Sequence, residues 1–164
     1  MFELLNVVKR SKFYFFATLL LFSVTANLSA NEEQVAKLLE SKVAPIGVVF
    51  EVVSWDEAYL KTAFDAFENH QKRLKAKFPE IKLAIVTHGN EQFSLTESNK
   101  EKYQDTHQQV QRITETDVPV HICAGHARMR AIDVKAFPDY VSVSQSGPAE
   151  IATYQAQEYI LVIL

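Results

Sequence analysis

One cysteine, one tryptophan, two methionines and four glycines are all that these 164 residues hold of those types. The solitary Cys123 excludes an internal disulfide. It also excludes any zinc or iron–sulfur site built from several thiolates of one chain. No P-loop, dinucleotide fingerprint or G-x-S-x-G motif is present, so the common signatures of phosphate, nucleotide and serine-hydrolase chemistry are missing. Neither sign of charge dominates: 17 basic groups face 20 acidic ones, which argues against nucleic acid as a partner. There is no internal repeat and no low-complexity tract. Apolar residues at 48% and charged residues at 23% are the proportions of a globular chain, not a disordered one. The length suits a single domain.

The N-terminus reads differently from the rest. Lys9, Arg10 and Lys12 precede an uncharged run, Phe13–Val24, and small residues follow it at Ala26 and Ala30. A basic stretch, a short apolar core and a small-residue exit are the parts of a secretory signal peptide, here expected over 1–30. The run does not comfortably cross a ~30 Å hydrocarbon core, which takes ~20 residues, so cleavage at Ala26 or Ala30 with no stable membrane span afterwards is expected, and a retained anchor is the alternative. The expected destination is the periplasm. The remaining residues, 31–164, keep 14 basic against 19 acidic groups. That is enough chain for one sizeable core. An unpaired thiol in an exported protein stands out, because oxidising compartments favour paired cysteines.

The rest of the chain alternates strand and helix patterns. Asn31–Ala44 has apolar residues at helical spacing and meets Pro45. Ile46–Val53 (IGVVFEVV) is a nearly continuous apolar run, the pattern of a strand buried on both faces. Ser54-Trp55-Asp56-Glu57 has the form of a capping box with Ser54 as N-cap. Leu60, Phe64, Phe67, Leu74 and Phe78 then form one helical stripe before Pro79, and Trp55 joins them as a predicted core residue. Ile81–Thr87 is a second strand. Asn90–Asn99 reads as a polar loop and Lys100–Thr116 as a helix whose Thr106–Gln111 stretch faces solvent. Val118–Cys123 is a third strand, Ala124–Val134 a short helix and Tyr140–Ser144 a fourth strand. Ser146-Gly147-Pro148 opens another helix, since proline is favoured at the first helical position. Tyr159–Leu164 is a fifth strand. Five strands separated by helices predict a three-layer α/β/α domain with a mostly parallel sheet.

In such sheets ligands bind beyond the carboxyl ends of the strands. Cys123 falls there, at a strand-to-helix junction, where helix-start amides favour the reactive thiolate. His88 and Gly89 end the second strand and are expected to face the same crevice. His121 shares the cysteine's face of the strand, and His126 follows in the first helical turn. The spacing His121-x-Cys123-x-x-His126 permits a copper or zinc site if the turn draws both rings together. A buried, inert cysteine is the alternative for Cys123. Ser146 with Gly147 reads as an N-cap and turn glycine, a helix start that also suits an anion.

The order VPVHIC-AGHA, then SGPAEIATYQ, then YILVIL resembles the DsrE/DsrF-like (sulfur-relay, YchN-like) family, over about Ile46 to Leu164. Cys123 falls at the position of that family's sulfur-accepting cysteine. His88-Gly89, Asn69, and Ser146-Gly147 with Gln155 match its shorter motifs. One departure is Glu158, where many relatives have glycine before the closing Tyr. The resemblance implies a DsrE-like fold, a homo-oligomer, no cofactor, and a Cys123 persulfide passed between a donor and an acceptor protein. The alternative is a non-catalytic periplasmic binding module on the same fold, taking a metal or a small ligand.

Overall fold

The computed structural model describes residues 26–164. The expected signal peptide lies, as far as residue 25, outside the described residues. Helix α1, Ala26–Glu40, precedes strand β1, Gly47–Val52. Helix α2, Tyr59–Lys77, leads to β2, Lys82–Thr87. Helix α3, Gln104–Thr114, leads to β3, Val120–Cys123. A single turn and a half, α4 at Ala124–Met129, precedes β4, Ser142–Ser144. Helix α5, Gly147–Ala156, and β5, Tyr159–Ile163, complete the chain. The strands lie in the order β4-β3-β2-β1-β5, and all four pairings are parallel.

The two faces of the sheet are unequal. On one, α1, α2 and α3 cover a large core in which Phe50 meets Phe67 edge-on at 5.1 Å. The α2 stripe of Leu60, Phe64, Phe67 and Leu74 is buried there, as its 3.6-residue period requires. Among the described residues the opposite face carries one helix only. There α5 lies on Val49, Ala84 and Val86 through Ile151. Helix α5 is also the connection that carries the chain from one edge of the sheet, β4, to the other, β5. Its N-terminus therefore starts over the C-terminal ends of the middle strands.

Several local expectations give way to tertiary packing. No capping box forms at Ser54. Its Oγ accepts from the Asp56 amide, Asp56 Oδ1 accepts from the Ala58 amide, and α2 starts only at Tyr59. The two tight turns delay the helix by one turn and swing Trp55 out to 84% exposure, so Trp55 is not a core residue. Helix α1 stops at Glu40, five residues before Pro45. The polar segment Asn90–Leu95 is not a solvated loop. It forms a 3-10 turn in which Glu91, Gln92, Phe93, Ser94 and Leu95 are all buried. Nor is the 106–111 stretch solvated: Thr106, His107, Gln109 and Val110 are buried. His107 satisfies both ring nitrogens, with Ser94 O at 3.0 Å and the Tyr140 hydroxyl. Helix α4 ends at Met129, short of the expected Val134, because Ala131 turns left-handed at φ 55°.

Candidate functional site

Strand β3 delivers Cys123 to the C-terminal edge of the sheet, on the face that α5 covers. The register pairs Val86 with His121 and Cys123 with Ser144. Alternation then places Val49 and Glu51 of β1, Val86 of β2 with His88 just after it, and His121 and Cys123 of β3 on one side. Cys123 is 6% exposed and is the N-cap of α4.

The sulfur accepts two backbone N–H bonds, from His126 at 3.3 Å and from Gly147 at 3.3 Å. One amide comes from the first turn of α4 and the other from the first residue of α5. The cysteine's own peptide is clamped by Gln92. Its Oε1 accepts from the Cys123 amide at 2.7 Å, and its Nε2 donates to the Cys123 carbonyl at 3.4 Å. A glutamine side chain thus continues the ladder where β2 and β3 diverge.

Gly147 is closely fitted. A Cβ there would overlap His88 Cβ and lie 2.7 Å from its Cγ. Its glycine is required by this approach, since its φ is not positive. Gly125 leaves a second gap: a Cβ on it would sit 3.6 Å from Cys123 Sγ, 3.2 Å from the Gln145 carbonyl and 4.0 Å from Arg128 Nη2. Ser146 caps α5, accepting from the Ala149 amide at 3.4 Å, with Pro148 in the first turn.

The histidines separate. The His126 amide reaches the sulfur, but its ring turns away, with Nε2 3.0 Å from Asn90 Oδ1 and the ring stacked on Phe93. His121 Nε2 pairs with the Tyr154 hydroxyl at 2.9 Å. Burial pushes the His121 imidazole below its usual value, against the pull of Glu150, and pushes Tyr154 up to about 12. The expected His121, Cys123, His126 metal grouping is therefore not assembled. Among the described residues no group of three or more His, Cys, Asp or Glu side chains is placed to hold a metal ion. His88 does face the crevice, and its Nε2 lies 2.8 Å from Glu51 Oε1.

Behind the site, Glu91 is fully buried. Its Oε1 accepts from Thr87 Oγ1 at 2.5 Å and the Gly89 amide at 2.8 Å, and its Oε2 accepts from the Ser54 amide at 2.7 Å. This carboxylate ties the ends of β1 and β2 together. It also explains Gly89, where a Cβ would overlap Glu91 Oε2 and lie 2.5 Å from the Ser54 carbonyl. Asn69 and Gln155 are exposed on α2 and α5 and do not join the site.

Glu51, Glu91 and Gln92 were not apparent as site residues from the sequence. Glu51 left a trace, as the one charge within IGVVFEVV. Glu91 and Gln92 left none, since polar residues in a polar segment read as solvated. A cavity of about 730 Å³ lined by Ser41, Pro45, Phe78 and Ile81, among others, lies at the opposite end of the sheet.

Two solved structures share this architecture. One is a protein described as of unknown function, MTH1491 from Methanobacterium thermoautotrophicum. It matches at TM-score 0.58 and 19% identity, over 71% of this chain and 97% of that one. The other is the YchN protein from E. coli, at TM-score 0.50 and 12% identity, over 72% and 99%. The fold is DsrE-like. No protein-family model matches the sequence, and no match is found among curated proteins. Among the described residues no helix is long and apolar enough to cross a membrane.

Proposed function

We propose that this DsrE-like chain is an exported, periplasmic protein that carries sulfane sulfur on Cys123. The observation that carries the reading is the convergence of the His126 and Gly147 amides on one sulfur at the ligand edge of the sheet. N–H donors aimed at an atom stabilise negative charge on it. Negative charge is what a thiol acquires as it becomes a nucleophile and what a persulfide holds between transfers.

In the reaction, Cys123 attacks the sulfane sulfur of a donor. A sulfur–sulfur bond forms and the donor's own bond to that sulfur breaks, its electron pair leaving with the donor. The outer sulfur of Cys123–S–SH then passes to an acceptor thiol, and Cys123 returns to S–H. No metal or cofactor enters either step. A homo-oligomer fits the exposed Val143 on edge strand β4 and Ile160 and Ile163 on edge strand β5. Donor and acceptor proteins would approach the crevice rim.

Intact mass after treatment with thiosulfate or polysulfide tests the reading. One sulfur gained by the wild type and none by Cys123→Ser is the expected result. No gain, or an equal gain on Cys123→Ser, overturns it. The mass of the chain recovered from a periplasmic fraction reads the export step, with loss of the residues up to Ala26 or Ala30 expected.

A further inference from the structure

We infer that His88 and Glu51 form a proton relay for Cys123, with His88 as the general base and Glu51 as the residue that positions it. This rests on the sulfur-carrying reading of the same site, and it extends that site across three strands. Cys123 on β3, His88 after β2 and Glu51 on β1 lie in a row on the α5 face of the sheet. Gly147 joins the first two, since its amide donates to Cys123 Sγ at 3.3 Å while a Cβ on it would overlap the His88 side chain.

The tautomer follows from the partner. Glu51 as a carboxylate only accepts, so His88 Nε2 carries the hydrogen of their 2.8 Å bond and Nδ1 is left as the bare acceptor. No hydrogen bond reaches Nδ1 from any described residue. The other two histidines near the sulfur use Nε2 elsewhere, His121 with Tyr154 and His126 with Asn90. Of the three imidazoles, His88 alone has a carboxylate within hydrogen-bond distance of its ring, Glu51 at 2.8 Å; the nearest to His121 is Glu150 at 4.0 Å. A nucleophile, a base and a third group that orients the base is the general arrangement for activating a thiol.

With thiosulfate as donor the step balances. The Cys123 S–H proton moves to His88 Nδ1 through one water, and the ring becomes an imidazolium held by Glu51. The thiolate forms a bond to the sulfane sulfur, and the bond from that sulfur to the sulfonate group breaks. Sulfite leaves with the electron pair and takes the proton from His88 as bisulfite. Cys123 is left as the persulfide anion between the two amides. No oxidant or reductant is needed.

The charged and titratable groups around His88 are few. Glu51 faces it from β1 and Cys123 from β3. His121 and Glu150 lie further down the same face, 4.0 Å apart. Glu91 lies behind, bonded to Thr87 and Gly89 on either side of it. Arg128 of α4 reaches Gln145 at 3.3 Å beyond the cysteine.

The test is the rate of Cys123 alkylation by iodoacetamide on the purified chain, across about pH 6 to 9, where imidazoles and thiols ordinarily titrate. His88→Gln is expected to lower the neutral-pH rate about tenfold or more, and to remove one titration from the profile. Glu51→Gln, which keeps the imidazole and loosens it, is expected to slow the reaction severalfold and keep that titration. Added imidazole should restore part of the rate to His88→Ala, which a merely structural role would not allow. Unchanged rates in His88→Gln and Glu51→Gln, or an unaltered pH profile with no imidazole rescue, overturn the relay. If His88→Gln does not fold by circular dichroism, Glu51→Gln alone decides. Iodoacetamide needs no sulfur donor, so the two readings fail separately. Alkylation that depends on His88 without sulfur gain from thiosulfate keeps the relay and removes the sulfur chemistry. Sulfur gain at equal rates with and without His88 does the reverse.

Discussion

Replacing Glu91 tests whether the floor of the site is a latch. In Glu91→Ala three donors lose their acceptor: Thr87 Oγ1, the Gly89 amide and the Ser54 amide. Thr87 and Gly89 are buried, and a buried donor left unmade costs about 1–3 kcal/mol. The threonine hydroxyl can rotate to another partner, whereas the amides cannot. The vacated carboxylate volume adds a cavity term. The expected loss is about 3–5 kcal/mol, a large share of the ~5–15 kcal/mol that holds a domain folded. Glu91→Gln keeps the shape. Its NH2 group must face at least one N–H, so one bond is lost at about 1–3 kcal/mol. Urea unfolding at constant m-value reads both changes. The Asn90–Leu95 turn also carries Gln92, so both variants should alter the alkylation rate of Cys123. A Glu91→Ala variant within about 0.5 kcal/mol of wild type, the range of ordinary surface changes, would refute the latch.

Burial holds the His70 imidazole below its ordinary 6.5, against the opposing pull of Glu32, so the fold keeps it neutral. The unfolded chain then binds the extra proton, and stability present above about pH 6.5 is lost as pH falls below it, at no more than about 1.4 kcal/mol per pH unit for one group. His107 and His121 shift in the same direction through burial. His70→Phe, which preserves the stack on Phe50, should make the acid-side slope of stability shallower; an unchanged slope would count against the assignment. Gln92→Ala frees the Cys123 peptide and should cost about 1–3 kcal/mol by urea titration. Trp55→Ser should leave stability within about 0.5 kcal/mol, because the ring is exposed. Glu158 has φ 65°, in the left-handed region that favours glycine. Glu158→Gly should therefore raise the melting temperature by a few degrees, through about 0.5–1 kcal/mol of relieved strain.

How much of this was legible in the sequence depended on whether a residue's role followed a local period. The Val-rich run at 46–53 and the Leu60–Leu74 stripe announced a buried strand and an amphipathic helix, and both formed. Ser146-Gly147-Pro148 announced its cap. Cys123 and His88 were placed at strand ends by pattern alone, and the parallel order brought them to one face. Failures arose where a side chain answered to distant partners. Gln92 reads as a loop residue until the divergence of β2 and β3 leaves a peptide for it to bind. Glu91 reads as solvated until Ser54, Thr87 and Gly89 converge on it. His126 lies three residues from Cys123, yet Asn90 and Phe93 claim its ring, so close spacing gave the right backbone contact and the wrong side-chain one. Trp55 reads as core by its size, and two Asx-type turns expose it.

The central claim is that Cys123 holds and yields sulfur, and the sulfur inventory of one thiol tests it most directly. The chain is treated with polysulfide, weighed intact, mixed with a small acceptor thiol and weighed again. One sulfur atom gained per chain, lost to the acceptor as its persulfide, and neither event in Cys123→Ser is the predicted result. A wild-type chain that never gains sulfur while remaining folded would contradict the account.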